Sequence, residues 1–181
     1  MAGRTQAPRR MPRHRGFPPV SRRDATTLIL GSLPGRRSLE LRQYYAHPHN
    51  AFWKLIAAIF DDNGPGYSRR VALLKRNHIA LWDVIAAAQR PGSLDSDIVQ
   101  ATTRVNDFVA FFSAHPHIRR VFFNGRKAEL TYQRLVLPNL GASLAHIRYA
   151  SLPSTSPAHA GMSFAEKLGK WRKIKRTHGA G

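Results

Sequence analysis

The apolar residues of this chain fall in short runs separated by polar, glycine- and proline-rich breaks. TTLIL at 26–30 is β-branched and apolar on both faces, which suits a strand buried in a parallel sheet, and GSLPG at 31–35 breaks it. AFWKLIAAIF at 51–60 carries Phe52, Leu55, Ile56 and Ile59 at helical spacing. A helix is predicted there with Asn50 as its cap, ended by DDNGPG. A short helix follows near 68–76, then a strand or strand end in IALWDVI at 79–85, then a loop in RPGSLDSD. Residues 106–114 read as a helix, 120–123 as a strand ended by a glycine, and RKAELTYQRLV as a helix. HIRYAS is the next strand, LPSTSPAHAG a long polar loop, and SFAEKLGKWRKIKR a basic final helix. Strands thus alternate with helices, the pattern of an α/β fold whose largely parallel sheet is covered on both faces. Ligands of such sheets bind beyond the carboxyl ends of the strands. Here those ends are GSLPG, the residues after LWDV, FNG and LPSTSPAHA, so the unusual stretches gather on one edge of the predicted sheet.

Composition adds a partner to this picture. At 43% hydrophobic the 181-residue chain can build a real core, and one domain over 24–178 is expected. Residues 1–23 hold seven arginines, four prolines and no acid, and read as a flexible basic arm. The net charge of +19 points first to nucleic acid and second to an anionic membrane surface; an arginine-biased genome is the bland alternative. There is no cysteine, which excludes disulfides, iron–sulfur clusters and thiol nucleophiles. No apolar run approaches the roughly 20 residues of a membrane helix, and the N-terminus lacks a secretory apolar segment, so a cytoplasmic protein is expected.

Several stretches carry candidate chemistry. In YYAHPHNAFW at 44–53, tyrosine rings can stack on a nucleobase, and the Asn50 carboxamide can read a base edge or hold a water. Equally, a tyrosine can belong to the core and Asn50 can be a cap alone. GSLPG exposes backbone N–H groups but has neither the dinucleotide fingerprint nor a phosphate-loop lysine. Asp83 ends an apolar run in an acid-poor chain, so it is a candidate catalytic carboxylate, or else a cap or ion-pair partner. Ser154, Thr155, Ser156 and His159 lie on a loop suited to phosphate contact, or to an ordinary linker. Two His-x-His pairs, without cysteine or HExxH, give no metal centre, and none is expected.

Taken together, LILGSLPG, QYYAHPHNAFW, ALWDV, GSLDS, FFNGRKA and LPSTSPAHA, in this order, resemble the uracil-DNA glycosylase superfamily, in particular its hypoxanthine-DNA (deoxyinosine) glycosylase branch. The resemblance implies a three-layer α/β/α sandwich with a short, mainly parallel central sheet. It implies a monofunctional DNA glycosylase of base excision repair that flips a deaminated base, chiefly hypoxanthine, out of DNA and hydrolyses its bond to the sugar, without metal or cofactor. The implied partner is double-stranded DNA, with single strands as an alternative, bound by a monomer. By the same resemblance Tyr45 is the base-stacking ring, with Leu33 and Asn124 completing the base-binding set. Asn50 is catalytic. Ser32 stands where mismatch-specific relatives carry a water-holding Asn and uracil-specific ones an Asp, which shifts that work to Asn50, helped by Asp83. Leu152 stands where uracil-specific relatives carry a histidine, which argues against strong uracil excision. The loop bearing Ser154, Thr155, Ser156 and His159 matches the segment that presses into the minor groove. The rival readings are a uracil- or mismatch-specific glycosylase and a non-catalytic binder of damaged nucleic acid. What separates the binder is whether Asn50 faces a closed, base-sized pocket beside Tyr45. The N-terminal arm and Lys167, Lys170, Arg172, Lys173, Lys175 and Arg176 of the last helix are expected to add nonspecific DNA affinity.

Overall fold

The computed structural model describes residues 13–92 and 94–175. Its centre is a four-stranded, all-parallel sheet built from β2 (Thr27–Gly31), β3 (Ile79–Asp83), β6 (Arg120–Asn124) and β7 (Arg148–Leu152), in the order β3-β2-β6-β7. Every residue of β2 and β3 is buried, as both faces of the sheet are covered. Leu28 and Leu30 point to one face, into a core with Trp82, Phe108, Phe112 and Tyr132. That core is capped by α4 (Phe108–Ala114) and α5 (Arg126–Leu135). Ile29 points to the other face, among Phe52, Leu55, Leu74, Leu81 and Trp171. This second core is covered by α2 (Phe52–Phe60), α3 (Tyr67–Arg76) and α6 (Phe164–Trp171). The alternation of one apolar strand thus joins two cores into the expected three-layer sandwich.

Register places Gly31 opposite Asp83 and Asn124 opposite Leu152, so the four carboxyl ends form one edge, as expected.

Four local expectations need correction. The run 79–85 is not one strand: Val84 N–H donates to Gly31 O and Ile85 N–H to Ser32 O, turning the chain into β4 (Ile85–Gln89). A small second sheet follows, β1 (Arg13–Arg15), β4 and β5 (Arg104–Val105), in the order β1-β4-β5. Residues 13–20 therefore do not behave as a free arm. β1 pairs antiparallel with β4, Val20 bridges Leu81, Phe17 packs on the core, and Trp82 Nε1 donates to Phe17 O at 3.0 Å. Residues 1–12 lie outside the described residues.

A short helix, α1 (Arg36–Leu41), had no signature, because Ser38 is its one buried residue and it shows no apolar stripe. The last helix stops at Trp171 and tightens into a turn over Arg172–Ile174, and Arg176 lies outside the described residues.

Candidate active site

The strand-end edge opens into a pocket of about 710 Å³. Its floor depends on a missing side chain: a Cβ on Gly31 would collide with Asp83 Oδ1 and sit 2.8 Å from Tyr45 Oη. Glycine keeps that space clear and lets the backbone of β2 form part of the wall. Ser32, Leu33, Asn50, Asp83, Tyr45 and Asn124, all singled out in the sequence, line the same pocket. Leu33 belongs to a small apolar cluster with Ile85, Ala88 and Ile98, and so gives the wall a fixed apolar face.

Tyr45 and Asn50 are held on one connected turn. Tyr45 adopts a left-handed backbone (φ 53°), and its ring stacks on Phe52 at 4.1 Å with 22° between planes. One face of the ring is thus supported by the core helix while the residue lines the pocket. Burial raises the Tyr45 phenol above its usual pKa, and the Asp83 charge beside it adds to the rise. Tyr44 is core: its hydroxyl donates to Pro18 O at 3.2 Å, and Trp53 Nε1 donates to its carbonyl at 2.7 Å. Asn50, the expected cap, stands one residue ahead of the observed N-cap, Ala51. Its Oδ1 accepts from Phe52 N–H at 2.9 Å, while Nδ2 has no partner among the described residues. The side chain is therefore both a local turn lock and an available pocket amide. His47 turns its Nδ1 onto His49 N–H at 3.2 Å. Among the described residues, no group of three or more metal-ligating side chains converges.

Beneath them lies a pair of carboxyls. Asp83 is 3% exposed, and its Oδ2 has no hydrogen-bond partner among the described residues. Burial, and then the charge of Asp95, push its pKa up to about 8; Arg90 opposes the rise. Asp95 was not singled out in the sequence as a site residue. It reaches in from the GSLDS loop and accepts a 2.7 Å hydrogen bond from Ser32 Oγ. Its outer side is open to solvent, yet its carboxyl sits in a crowded wall. Desolvation raises its pKa, against the lowering effects of Ser32, Arg90 and Lys127. Arg90 is 1% exposed and donates to Pro34 O at 2.6 Å. This arginine, also missed, ties the GSLPG turn to the end of β4. The available signal was an acid and an arginine bracketing Pro-Gly in a loop just past a strand, in a chain with only 10 acids.

The loop 153–159 is pinned at four points. Thr155 N–H donates to Asn124 Oδ1 and Asn124 Nδ2 donates to Thr155 Oγ1, both at 2.9 Å. Ala51 N–H donates to Thr155 O at 3.0 Å. Trp171 Nε1 donates to Pro153 O at 3.0 Å, and Lys167 Nζ to His159 O at 2.8 Å. Gly125 makes the approach possible, having φ 92° and Ser154 Cβ within 2.9 Å of where its own Cβ would stand.

Two expectations change here, and a third is extended. Thr155 is 1% exposed and bonded to Asn124, so it anchors the loop and offers no surface to DNA. Asn124 lines the pocket, and one donor and one acceptor position of its carboxamide are engaged by Thr155, so it also fastens the loop. Lys167 is 6% exposed with its ammonium turned inward, and burial lowers its pKa, so it is not part of a basic surface. Ser154, Ser156 and exposed His159 remain at the pocket rim with Arg36, Arg37, Arg126 and Lys127. Leu152 is 3% exposed and packs into the core beside Phe122 and Trp171.

The fold and the site together are those of a DNA glycosylase. The structure is similar over 90% of this chain to the solution NMR structure of a Methanosarcina acetivorans protein described as a uracil DNA glycosylase, with a TM-score of 0.71, 35% identity and 98% of that chain covered. A family model of the uracil DNA glycosylase superfamily matches residues 18–175, and the chain belongs to that superfamily. Two curated relatives are named hypoxanthine DNA glycosylase. That of Methanosarcina barkeri is 42% identical over 115 residues, covering 62% of this chain and 72% of its own. That of Methanosarcina acetivorans is 39% identical over 135 residues, covering 69% and 84%. The chain is an enzyme that hydrolyses N-glycosidic bonds in DNA. Among the described residues, no helix is long and apolar enough to cross a membrane.

Proposed function

We propose that this glycosylase excises deaminated purines, chiefly hypoxanthine, from double-stranded DNA, acting as a monomer and without strand cleavage of its own. The observation that carries the reading is a pocket of about 710 Å³, roomy enough for a flipped nucleotide, lined by both Tyr45, backed by Phe52, and the unengaged Asn50 amide. A flipped base stacks on the free face of Tyr45, and the wall formed by Leu33 excludes water from its edge. Asn50, already fixed through Phe52 N–H, orients the attacking water at the sugar C1′. The C1′–N bond breaks with its electron pair leaving on the base. Asp83, protonated at neutral pH, donates a proton to a ring nitrogen of that departing purine. The basic rim holds the flanking phosphates, with Ser154, Ser156 and His159 on the pressing loop. The site lies within one chain, which favours monomeric action, and a chromosomal substrate favours a cytoplasmic location.

Leu152 argues against uracil as the main substrate, since an apolar core residue offers the leaving oxygen of a pyrimidine no hydrogen bond. The pocket beside Tyr45 argues against a purely binding role. The test is a panel of duplexes bearing inosine, xanthine, uracil or mismatches, scored for alkali-sensitive cleavage. Inosine is expected to be cut fastest. If every duplex stays intact while binding is confirmed, the reading fails.

A further inference from the structure

Asp83 and Asn50 account for the leaving base and for the orientation of the water. They leave one proton unassigned: the proton that the attacking water must lose as it bonds to C1′. Two features of the pocket bear on that proton. Ser32 lines the pocket, and its Oγ gives its own hydrogen to Asp95 Oδ1 at 2.7 Å. Its lone pairs are thereby left as acceptors, made more basic by the carboxylate behind them. Asp95 itself has an outer side open to solvent, unlike Asp83, which is sealed in.

We propose that Ser32 and Asp95 form a proton relay for the glycosylase reaction described above. Asp95 is a positioning residue that acts through Ser32. As the water oxygen bonds to C1′, one water proton passes to Ser32 Oγ, and the Ser32 hydroxyl proton passes to Asp95 Oδ1. On the other side, Asp83 gives its proton to the base as the C1′–N bond breaks. The sum is water plus damaged nucleotide giving an abasic sugar and a neutral base, with Asp83 ionised and Asp95 protonated. Asp95 then releases its proton to solvent through its open side, and Asp83 recovers one when the base departs.

Two carboxyls in one pocket thus hold opposite states before reaction. The charged and titratable groups around Asp95 fit this division. Burial raises the pKa of the Asp95 carboxyl, while the Ser32 hydrogen bond, Arg90 at the end of β4 and Lys127 on α5 oppose that rise and favour its ionised form. Asp83 on β3 faces it across the pocket, has no hydrogen-bond donor among the described residues, and is the one on which a proton is retained. Tyr45 feels both carboxyls and stays a neutral phenol. Asp97, in the loop's own turn, accepts from Leu94 N–H at 2.9 Å, makes no hydrogen bond to Ser32 and is not itself a lining residue.

The proposal rests on the glycosylase reading, and one experiment separates the two. Single-turnover excision from an inosine duplex is measured across pH for the full chain and for Asp95→Asn, Ser32→Ala, the double variant and Asp97→Asn, with DNA affinity and thermal midpoint recorded for each. The relay predicts roughly a 10²-fold slower step for either single variant, with affinity kept, and no further loss in the double variant, as for groups acting as one unit. It also predicts that the acidic limb of the rate profile disappears in Asp95→Asn and persists in Asp97→Asn. Asp95→Glu should restore part of the rate and the limb. If the parent chain cuts inosine and Asp95→Asn keeps both rate and limb, the relay is wrong and the substrate reading stands. If the losses in Asp95→Asn and Ser32→Ala multiply in the double variant, or follow lowered thermal midpoints, the two residues are structural and the relay is again wrong. If the parent chain cuts no deaminated base, both fall.

Discussion

The pocket floor and the pocket rim are made of opposite materials. The floor, in a chain of net charge +19, gathers two of only 10 acids, Asp83 and Asp95, with the buried tyrosine of the stacking plate. The rim carries Arg36, Arg37 and Arg126, all exposed, with Arg37 paired to Glu40 at 3.1 Å. Exposed cations cost the fold little and attract DNA over a distance set by salt. A buried, unpaired carboxyl is expensive to ionise, and it is tolerated where chemistry needs it. The contrast separates rate from affinity: the floor should govern the chemical step, and the rim should govern encounter.

The sharpest way to break this division is Asn50→Ala. Excision under single-turnover conditions should fall by about 100-fold or more, with DNA affinity near that of the parent chain; a loss confined to affinity would put Asn50 with the rim. Next is Asp83→Asn. In the parent chain, activity should decline as pH rises through about 8, where Asp83 loses its proton, and this decline should be absent from the slower variant.

The same substitution tests the cost of the floor. A carboxyl whose folded pKa lies above its unfolded value contributes stability that is fully present below the unfolded value of 3.8 and is lost as pH rises through about 8. Asp83→Asn should therefore gain stability over the parent chain above pH 8, by up to about 5 kcal/mol in chemical denaturation, and show little of that gain near pH 4.

Thr155→Val removes the acceptor of Asn124 Nδ2 and should cost about 1–3 kcal/mol of stability, read by denaturant midpoint. The smallest effect on rate belongs to the rim. Arg36→Gln with Arg126→Gln should flatten the salt dependence of binding by about 0.9 in log–log slope for each phosphate no longer neutralised, and leave excision at saturating protein unchanged.

What could be read from the sequence followed from chain-local chemistry. The strand 26–30 announced itself because both its faces are covered, and the strand ends then placed Ser32, Asp83 and Asn124 in one neighbourhood, to which the family resemblance of the stretch 44–53 added Tyr45 and Asn50. The elements that escaped are those whose formation depends on distant partners. β1 is three residues of alternating charge that become a strand only against β4, and α1 has no apolar face. Asp95 was hidden for a related reason: a loop acid becomes a site residue only through the hydroxyl it meets 63 positions away. Thr155 and Lys167 erred in the other direction. Polar side chains on a polar loop and a basic helix look solvated until their partners, Asn124 and a backbone carbonyl, are known.

The four attachments of the loop 153–159 have a mechanical consequence. Under the proposed function, a segment fastened to β6, to the turn before α2, and twice to α6 is a well-anchored surface to press against a double helix. In that reading compliance is asked of the nucleic-acid side, as the duplex bends and unstacks against an anchored loop. Work of this kind is least where stacking and pairing are already weak. A loop so anchored predicts that excision of one and the same lesion rises as stacking and pairing around it are weakened.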